Sequence, residues 1–267
     1  MTLSSRFFRK MKLCLYNLSV TILCLAVVGC GRQPIERIEW TSMGTVAAVQ
    51  YRGDVEPLVT DLVMRCFSDA ESLLSAHSGE SELSRMVAFS DEKILAECTE
   101  WVRPCYVAAF SLRNQSGCVF NPRWKGPDTL DLGAIAKGFA VDVAAERVRP
   151  KSDMLIDLGG NLKAVKGSWT VGVKGGMSFL LQEGAACATS ARYYRGDHIR
   201  DGRNGTSVSN GLYSVTVIHP SSAMIADGLS TILFIMGREK GTRFINDHYP
   251  DAKVIWTNDA AVDAGSR

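Results

Sequence analysis

The chain has 267 residues, 46% of them hydrophobic, with 30 basic against 28 acidic side chains and a formal net charge of +2. That length fits one domain with a full core. The near balance of charge gives no reason to expect a nucleic-acid surface.

Arg6, Arg9, Lys10 and Lys12 form a basic leader, residues 13–28 an apolar run, and Val27-Val28-Gly29-Cys30 closes it. A small residue directly before a cysteine, after such a run, is a bacterial lipoprotein cleavage pattern. The run is about 16 residues long against the roughly 20 a bilayer span needs, so an export signal is favoured over an uncleaved anchor. The expected organisation is a signal peptide over residues 1–29, a lipidated Cys30 with a tether over 30–38, and one domain over 39–267. Such a chain is a cell-membrane lipoprotein facing the periplasm or the cell exterior, anchored without crossing. After Cys30 come Cys66, Cys98, Cys105, Cys118 and Cys187. None is spaced as CxxC, so zinc-ribbon and thioredoxin-like readings have no support. Pairing of Cys98 with Cys105 is left open.

In chain order, residues 40–51 (WTSMGTVAAVQY) predict a strand with a glycine kink near its start. Residues 55–75 carry apolar side chains at helical spacing, and residues 90–112 predict a second helical region broken near Pro104. Residues 154–173 alternate enough for two strands, with Gly159-Gly160 or Gly167-Ser168 as turns. Residues 213–219 (YSVTVIH) predict a strand ended by Pro220. Ser221 or Ser222 then caps a helix over 223–236, with Gly237 as its stop. Residues 253–256 form a last short strand. Helices interspersed with hairpin-linked strands predict an α+β domain with a mixed, largely antiparallel sheet, flanking helices, and the Gly-rich turns gathered at one edge.

Residues 131–142 read DLGAIAKGFAVD. Glycines at 133 and 138 let backbone approach a ligand, Lys137 supplies a point charge for a phosphate, and a helix beginning near Phe139 would aim N–H groups at the same anion. The bland alternative is a tight strand-to-helix connection. Residues 226–231 read ADGLST. Asp227 and Thr231 lie four apart on a helix, so a carboxylate and a hydroxyl share one side and make two oxygen ligands for a hard cation such as Mg²⁺. Asp227 interrupts an apolar stretch, where a charge needs a partner. The alternative is an exposed acid beside a threonine bonded to its own backbone. His198, just ahead of the DGRNG turn at 201–205, is a candidate base or phosphate contact, or merely a solvated histidine. Thr189 and Ser190 in ATS offer hydroxyls to a passing ligand, or end a strand. LGGN at 158–161 is a candidate site turn or an ordinary one.

Taken in order, MGT (43–45), SELSR (81–85), DLGAIAKGFAVD, LGGN, ATS, HIRDGRNG (198–205) and ADGLST resemble the FAD:protein FMN transferase family, also called ApbE. The resemblance runs from about Trp40 to the C-terminus. It implies a single ApbE-like domain, binding FAD as substrate with Mg²⁺ and moving FMN to a threonine or serine hydroxyl of an acceptor protein, with release of AMP. It also implies that Met43, His77, the segment Val119, Phe120 and Asn121, Asp131, Lys137, Thr189 and Ser190 contact the FAD. The backbone carbonyl of Ala134 and the side chains of Asp227 and Thr231 would ligate Mg²⁺. His198 would be the base, with Lys137 assisting charge at the phosphates. The acceptor implied is a subunit of a respiratory redox complex. Rival readings are an Mg²⁺-dependent FAD pyrophosphatase giving FMN and AMP, and a lipoprotein that only holds flavin. The chain departs from the family at His77 (usually aromatic), Val87 (usually Asn), Asn121 (usually Asp) and Gly202 (usually Pro), and the stretch between Pro122 and Asp131 is shorter than usual.

Overall fold

The computed structural model describes residues 33–192 and 199–258. Seven antiparallel strands form one sheet in the order β1 (Ile35–Ser42), β2 (Thr45–Arg52), β3 (Asp153–Leu158), β4 (Asn161–Lys166), β7 (Ala186–Ala191), β8 (Leu212–His219) and β9 (Lys253–Asn258). A separate hairpin joins β5 (Trp169–Val173) to β6 (Met177–Leu181). The helices are α1 (Pro57–Leu74), α2 (Glu82–Arg85), α3 (Asp91–Glu97), α4 (Val102–Gln115), α5 (Gly133–Arg147) and α6 (Ala223–His248). The α+β expectation holds, and every pairing in the sheet is antiparallel.

Strand alternation divides the sheet into two faces. Ala47, Val49, Tyr51, Met154, Ile156, Leu158, Ala186, Ala188, Val215 and Val217 point into the main core beneath the helices. Leu155, Ala164 and Cys187 point the other way, onto Trp169 and Leu181 of the hairpin, in a second small core. The strand predicted over 40–51 is two strands. Met43 and Gly44 both take positive φ, 48° and 68°, which is the twist a two-residue hairpin turn requires. Both glycine turns predicted within 154–173 exist, so that stretch holds three strands where two were expected. Pro104 does not break α4. It sits in the first turn, where no backbone N–H is needed. Gly237 interrupts α6 with φ 76°, and the helix then resumes to His248. Cys66, Cys98, Cys105, Cys118 and Cys187 are free thiols, so no Cys98–Cys105 bridge forms. Burial pushes the Cys187 thiol up to about 12.

The last acid of DLGAIAKGFAVD organises the helix layer. Asp142 is buried on α5 and accepts the Ala223 and Met224 backbone N–H groups, at 2.9 Å each, and the Ser222 hydroxyl at 2.8 Å. Lys163 from β4 completes its shell at 2.8 Å. Ser222 accepts the Ile225 N–H at 3.1 Å as the N-cap, and the His219 Nδ1 accepts the Ser221 and Ser222 N–H groups. The first donors of α6, orphaned in any helix, are thereby satisfied by one carboxylate from a neighbouring helix. Asp142→Ala leaves the Ala223 and Met224 N–H groups without that acceptor and Lys163 with only the Ser221 carbonyl. We expect a loss of about 3 kcal/mol in urea unfolding, against less than about 0.5 kcal/mol for Asp54→Ala on the surface.

Candidate functional site

The site grows from the crossing of α5 and α6. A Cβ added at Gly138 would stand 2.2 Å from the Ala223 carbonyl oxygen, so the two helices touch there only because residue 138 is glycine. Close approach is the role of Gly138; it does not open backbone to a ligand. At this contact the Gly138 N–H donates to Asp227 Oδ2 at 3.1 Å, and Lys137 Nζ donates to the same oxygen at 3.3 Å and to the Gly133 carbonyl at 3.3 Å. The helical acceptor of the Gly138 N–H would be the Ala134 carbonyl, one turn earlier. Asp227 is only 6% exposed. Burial pushes its carboxyl above the usual carboxylate range, while Lys137 and the Gly138 N–H pull it back.

Thr231 lies one turn further along α6. Its hydroxyl is 3.3 Å from the Ser190 hydroxyl on β7, which is itself 2.8 Å from that of Ser230. Strand register brings the remaining turns to the same end of the sheet. Leu158 pairs with Ala47 on one side and Asn161 on the other, and Leu162 pairs with Cys187. The Met43-Gly44 turn, the Gly159-Gly160 turn and the Ser190 end of β7 are therefore neighbours. Gly159 is held against Thr45, where a Cβ would meet the threonine side chain at 2.6 Å. Glu71 of α1 accepts the Met43 N–H at 3.0 Å and holds that turn.

The described residues thus bring together Ala134, Lys137, Asp227, Thr231 and Ser190, with Met43 at the same sheet end. The other sequence-predicted residues make different contacts. Thr189 points to the opposite face of the strand and bonds Thr216 at 2.8 Å. Val119 and Phe120 are each 4% exposed, so their side chains belong to the core. Asn121 donates to the Gly202 carbonyl at 3.0 Å, and a Cβ at Gly202 would lie 2.6 Å from the Asn121 Cβ. Asn121 and Gly202 thus form one local contact, in which a small residue at 202 makes room for the latch. Asp131 accepts the Gly133 N–H at 2.9 Å and pairs with Lys125 at 3.7 Å. It bonds the first N–H of α5, which begins at Gly133 and not near Phe139. The Asp201 carboxylate is taken by the Arg203 guanidinium, which holds it below the usual range. His77 is exposed, and among the described residues only its backbone N–H is bonded, to Ser75. His198 and Cys30 lie outside the described residues. SELSR is a structural piece: Ser81 caps α2 by accepting the Ser84 N–H, and Glu82 accepts the Thr99 N–H and hydroxyl at 2.6 Å each.

Sequence reading missed Ser230, Asp142 and the Gly138 N–H. Ser230 was visible beside Thr231. A two-residue i, i+4 argument passes over it, because its partner comes from a distant strand.

The donors fit a hard cation. Asp227 Oδ1 accepts no hydrogen bond among the described residues, although Oδ2 accepts two. Such an acceptor, one helical turn from Thr231, offers with its hydroxyl oxygen ligands only, the set Mg²⁺ takes. Among the described residues no three His, Cys, Asp or Glu side chains cluster. The remaining positions of a cation here would fall to waters or phosphate oxygens, as is usual for Mg²⁺. A hollow of about 610 Å³ lies elsewhere, around Trp101, Asp142 and Met224. It touches none of these donors.

Residues 124–256 match the ApbE family. A relative from Klebsiella pneumoniae named FAD:protein FMN transferase is 38% identical over 129 residues, covering 42% of this chain and 40% of that protein. One from Vibrio cholerae, with the same name, is 30% identical over 154 residues, covering 49% and 46%. The matched stretch thus spans under half the length of these relatives. In fold, the chain is similar to the flavin transferase ApbE from Vibrio cholerae, with TM-score 0.67, 21% identity, and 86% and 99% of the two chains covered. It is likewise similar to an ApbE protein from Thermotoga maritima, with TM-score 0.70, 19% identity, and coverage of 85% and 95%.

A carboxyl raised in the folded state binds its proton more tightly there than in the unfolded chain. Its contribution therefore favours folding at low pH and is lost as pH rises through the window between the two values. Asp227→Asn removes that cost. In EDTA at pH 7 we expect this variant to be more stable than the parent, with the difference vanishing below the ordinary carboxylate range. Equal or lower stability at pH 7, measured by chemical unfolding, counts against a strained carboxylate.

Proposed function

We infer the function from family: the chain belongs to the ApbE family, and its chemistry is the transfer of FMN from FAD to a hydroxyl of an acceptor protein. The observation that carries this reading is the buried Asp227 carboxylate, with one oxygen that accepts no hydrogen bond among the described residues, one helical turn from Thr231 and beside Lys137. Storage of flavin requires no such costly group, whereas phosphoryl transfer requires charge neutralisation at the phosphates.

In this reading Asp227, Thr231 and the Ala134 carbonyl hold Mg²⁺, which when bound neutralises charge on the FAD pyrophosphate. Lys137, already tied to Asp227 and to the Gly133 carbonyl, stands as a second cation for phosphate oxygens. The turn carrying Met43, with its positive φ and its N–H held by Glu71, is a strained backbone position of the kind that collects at ligand sites. The acceptor threonine (or serine) oxygen attacks the flavin-side phosphorus, a phosphoester bond forms, the bond to the AMP oxygen breaks, and AMP leaves. The hydroxyl proton goes to a base, for which His198 is the candidate. The acceptor is a redox-complex subunit, and residues 1–30 deliver the enzyme to the membrane as a lipoprotein at Cys30.

Incubation with FAD, Mg²⁺ and a threonine-containing acceptor, followed by mass spectrometry, separates the readings. Flavinylated acceptor and free AMP are expected. Free FMN with unmodified acceptor means a pyrophosphatase, and intact FAD means a binding protein. Asp227→Ala should abolish turnover while FAD binding falls much less; full activity of that variant at low Mg²⁺ contradicts the assignment. Separately, Cys30→Ser should leave an unprocessed precursor that takes up no labelled fatty acid, and normal labelling would refute the anchor.

A further inference from the structure

Thr231 carries one hydroxyl proton. To ligate a cation, its oxygen must present a lone pair to the metal, so the proton has to point away and meet an acceptor. A helical threonine usually sends that proton to the carbonyl four residues back, here that of Asp227. That carbonyl already accepts from Ser230 Oγ at 2.9 Å.

With the Ser230 proton on the Asp227 carbonyl, the contacts among the described residues admit one arrangement of protons. The Asp227 carbonyl can only accept, so the single Ser230 proton is spent on it. Ser230 and Ser190 are 2.8 Å apart, so the proton between them must come from Ser190. Ser190 and Thr231 are 3.3 Å apart, so the proton between those two must come from Thr231. The run is Thr231 to Ser190 to Ser230 to the Asp227 carbonyl, each hydroxyl donating onward. Its direction is set at the far end by a group that carries no proton. Both residues are placed for this by the fold: Ser190 is on the helix-facing side of β7, like Ala186 and Ala188, and Ser230 is fully buried on α6.

We propose that Ser190 and Ser230 are positioning residues that fix the direction of the Thr231 hydroxyl, so that its lone pairs face the cation. This rests on Thr231 being a cation ligand, and it takes Ser190 out of the set of flavin contacts. Ser190 touches no metal in this account. It acts through Thr231, as outer partners of metal ligands commonly do.

The test uses the full chain in detergent with Mn²⁺ as the probe, read by its electron paramagnetic resonance signal on titration, and FAD binding measured separately in EDTA. Ser190→Ala should weaken Mn²⁺ binding by roughly tenfold or more, and Ser190→Thr, which keeps the hydroxyl, should bind close to the parent. FAD affinity in EDTA should be unchanged in both. Ser230→Ala cuts the relay at its next member. It should also weaken Mn²⁺, and it carries the test if Ser190→Ala does not fold by its thermal melt. Parent-like Mn²⁺ binding in Ser190→Ala, with binding lost in Thr231→Ala, overturns the relay while leaving the cation site intact. Loss of FAD affinity with unchanged Mn²⁺ binding also overturns it and returns Ser190 to the flavin. Parent-like Mn²⁺ binding in Thr231→Ala and Asp227→Ala together overturns the cation reading itself.

Discussion

The contact between α5 and α6 at Gly138 is the constraint on which the rest of the site depends. Any side chain there would collide with the Ala223 backbone, and separating the helices would carry Asp227 away from both Lys137 and the Gly138 N–H. Asp142 works on the same crossing one turn along, where its carboxylate receives the start of α6. One helix therefore supplies the glycine, the lysine and the capping acid, and the other supplies the carboxylate and the hydroxyl. The strength of the DLGAIAKGFAVD signal has its physical origin here. Each polar or small residue in it answers a contact made by α6 or by the turn that starts α5.

Asp227 sits in a place that costs stability. A carboxylate taken out of water is disfavoured in its charged form, and one lysine that is itself partly solvated offsets that only in part. Proteins retain such groups where function demands the charge. The compensations lie nearby: the Asp142 latch, the Ser222 cap and the tight packing of small residues between the helices, where even Gly228 has Leu112 filling the space a Cβ would take.

Some of this was legible in the sequence. The i, i+4 spacing of Asp227 and Thr231, the Ser222 cap of α6 and the strand expected over 213–219 follow from local rules, and local rules suffice for them. Other features depend on contacts between distant segments. The split of residues 40–51 into two strands follows from Met43 accepting a left-handed conformation, which a methionine does not advertise. The roles of Thr189 and Ser190 diverge because adjacent strand residues face opposite ways, and only the pairing of β7 with β8 shows which faces α6. Asp131 and Asp142 are both acids of one motif. Their separate duties, a bond to the first N–H of α5 and a latch onto α6, are visible only once the helices are docked. Asn121 and Gly202 likewise explain each other only through their contact across 81 residues of chain.

The central claim is that Asp227, Thr231 and the Ala134 carbonyl converge on one cation. A crystal of the full domain grown with FAD and Mn²⁺ tests it most directly, because anomalous scattering locates the metal without assumption. The account predicts one strong peak within about 2.3 Å of an Asp227 carboxylate oxygen, the Thr231 hydroxyl and the Ala134 carbonyl, with FAD phosphate oxygens completing the shell. A metal bound elsewhere, with Asp227 still held only by Lys137 and the Gly138 N–H, would contradict it.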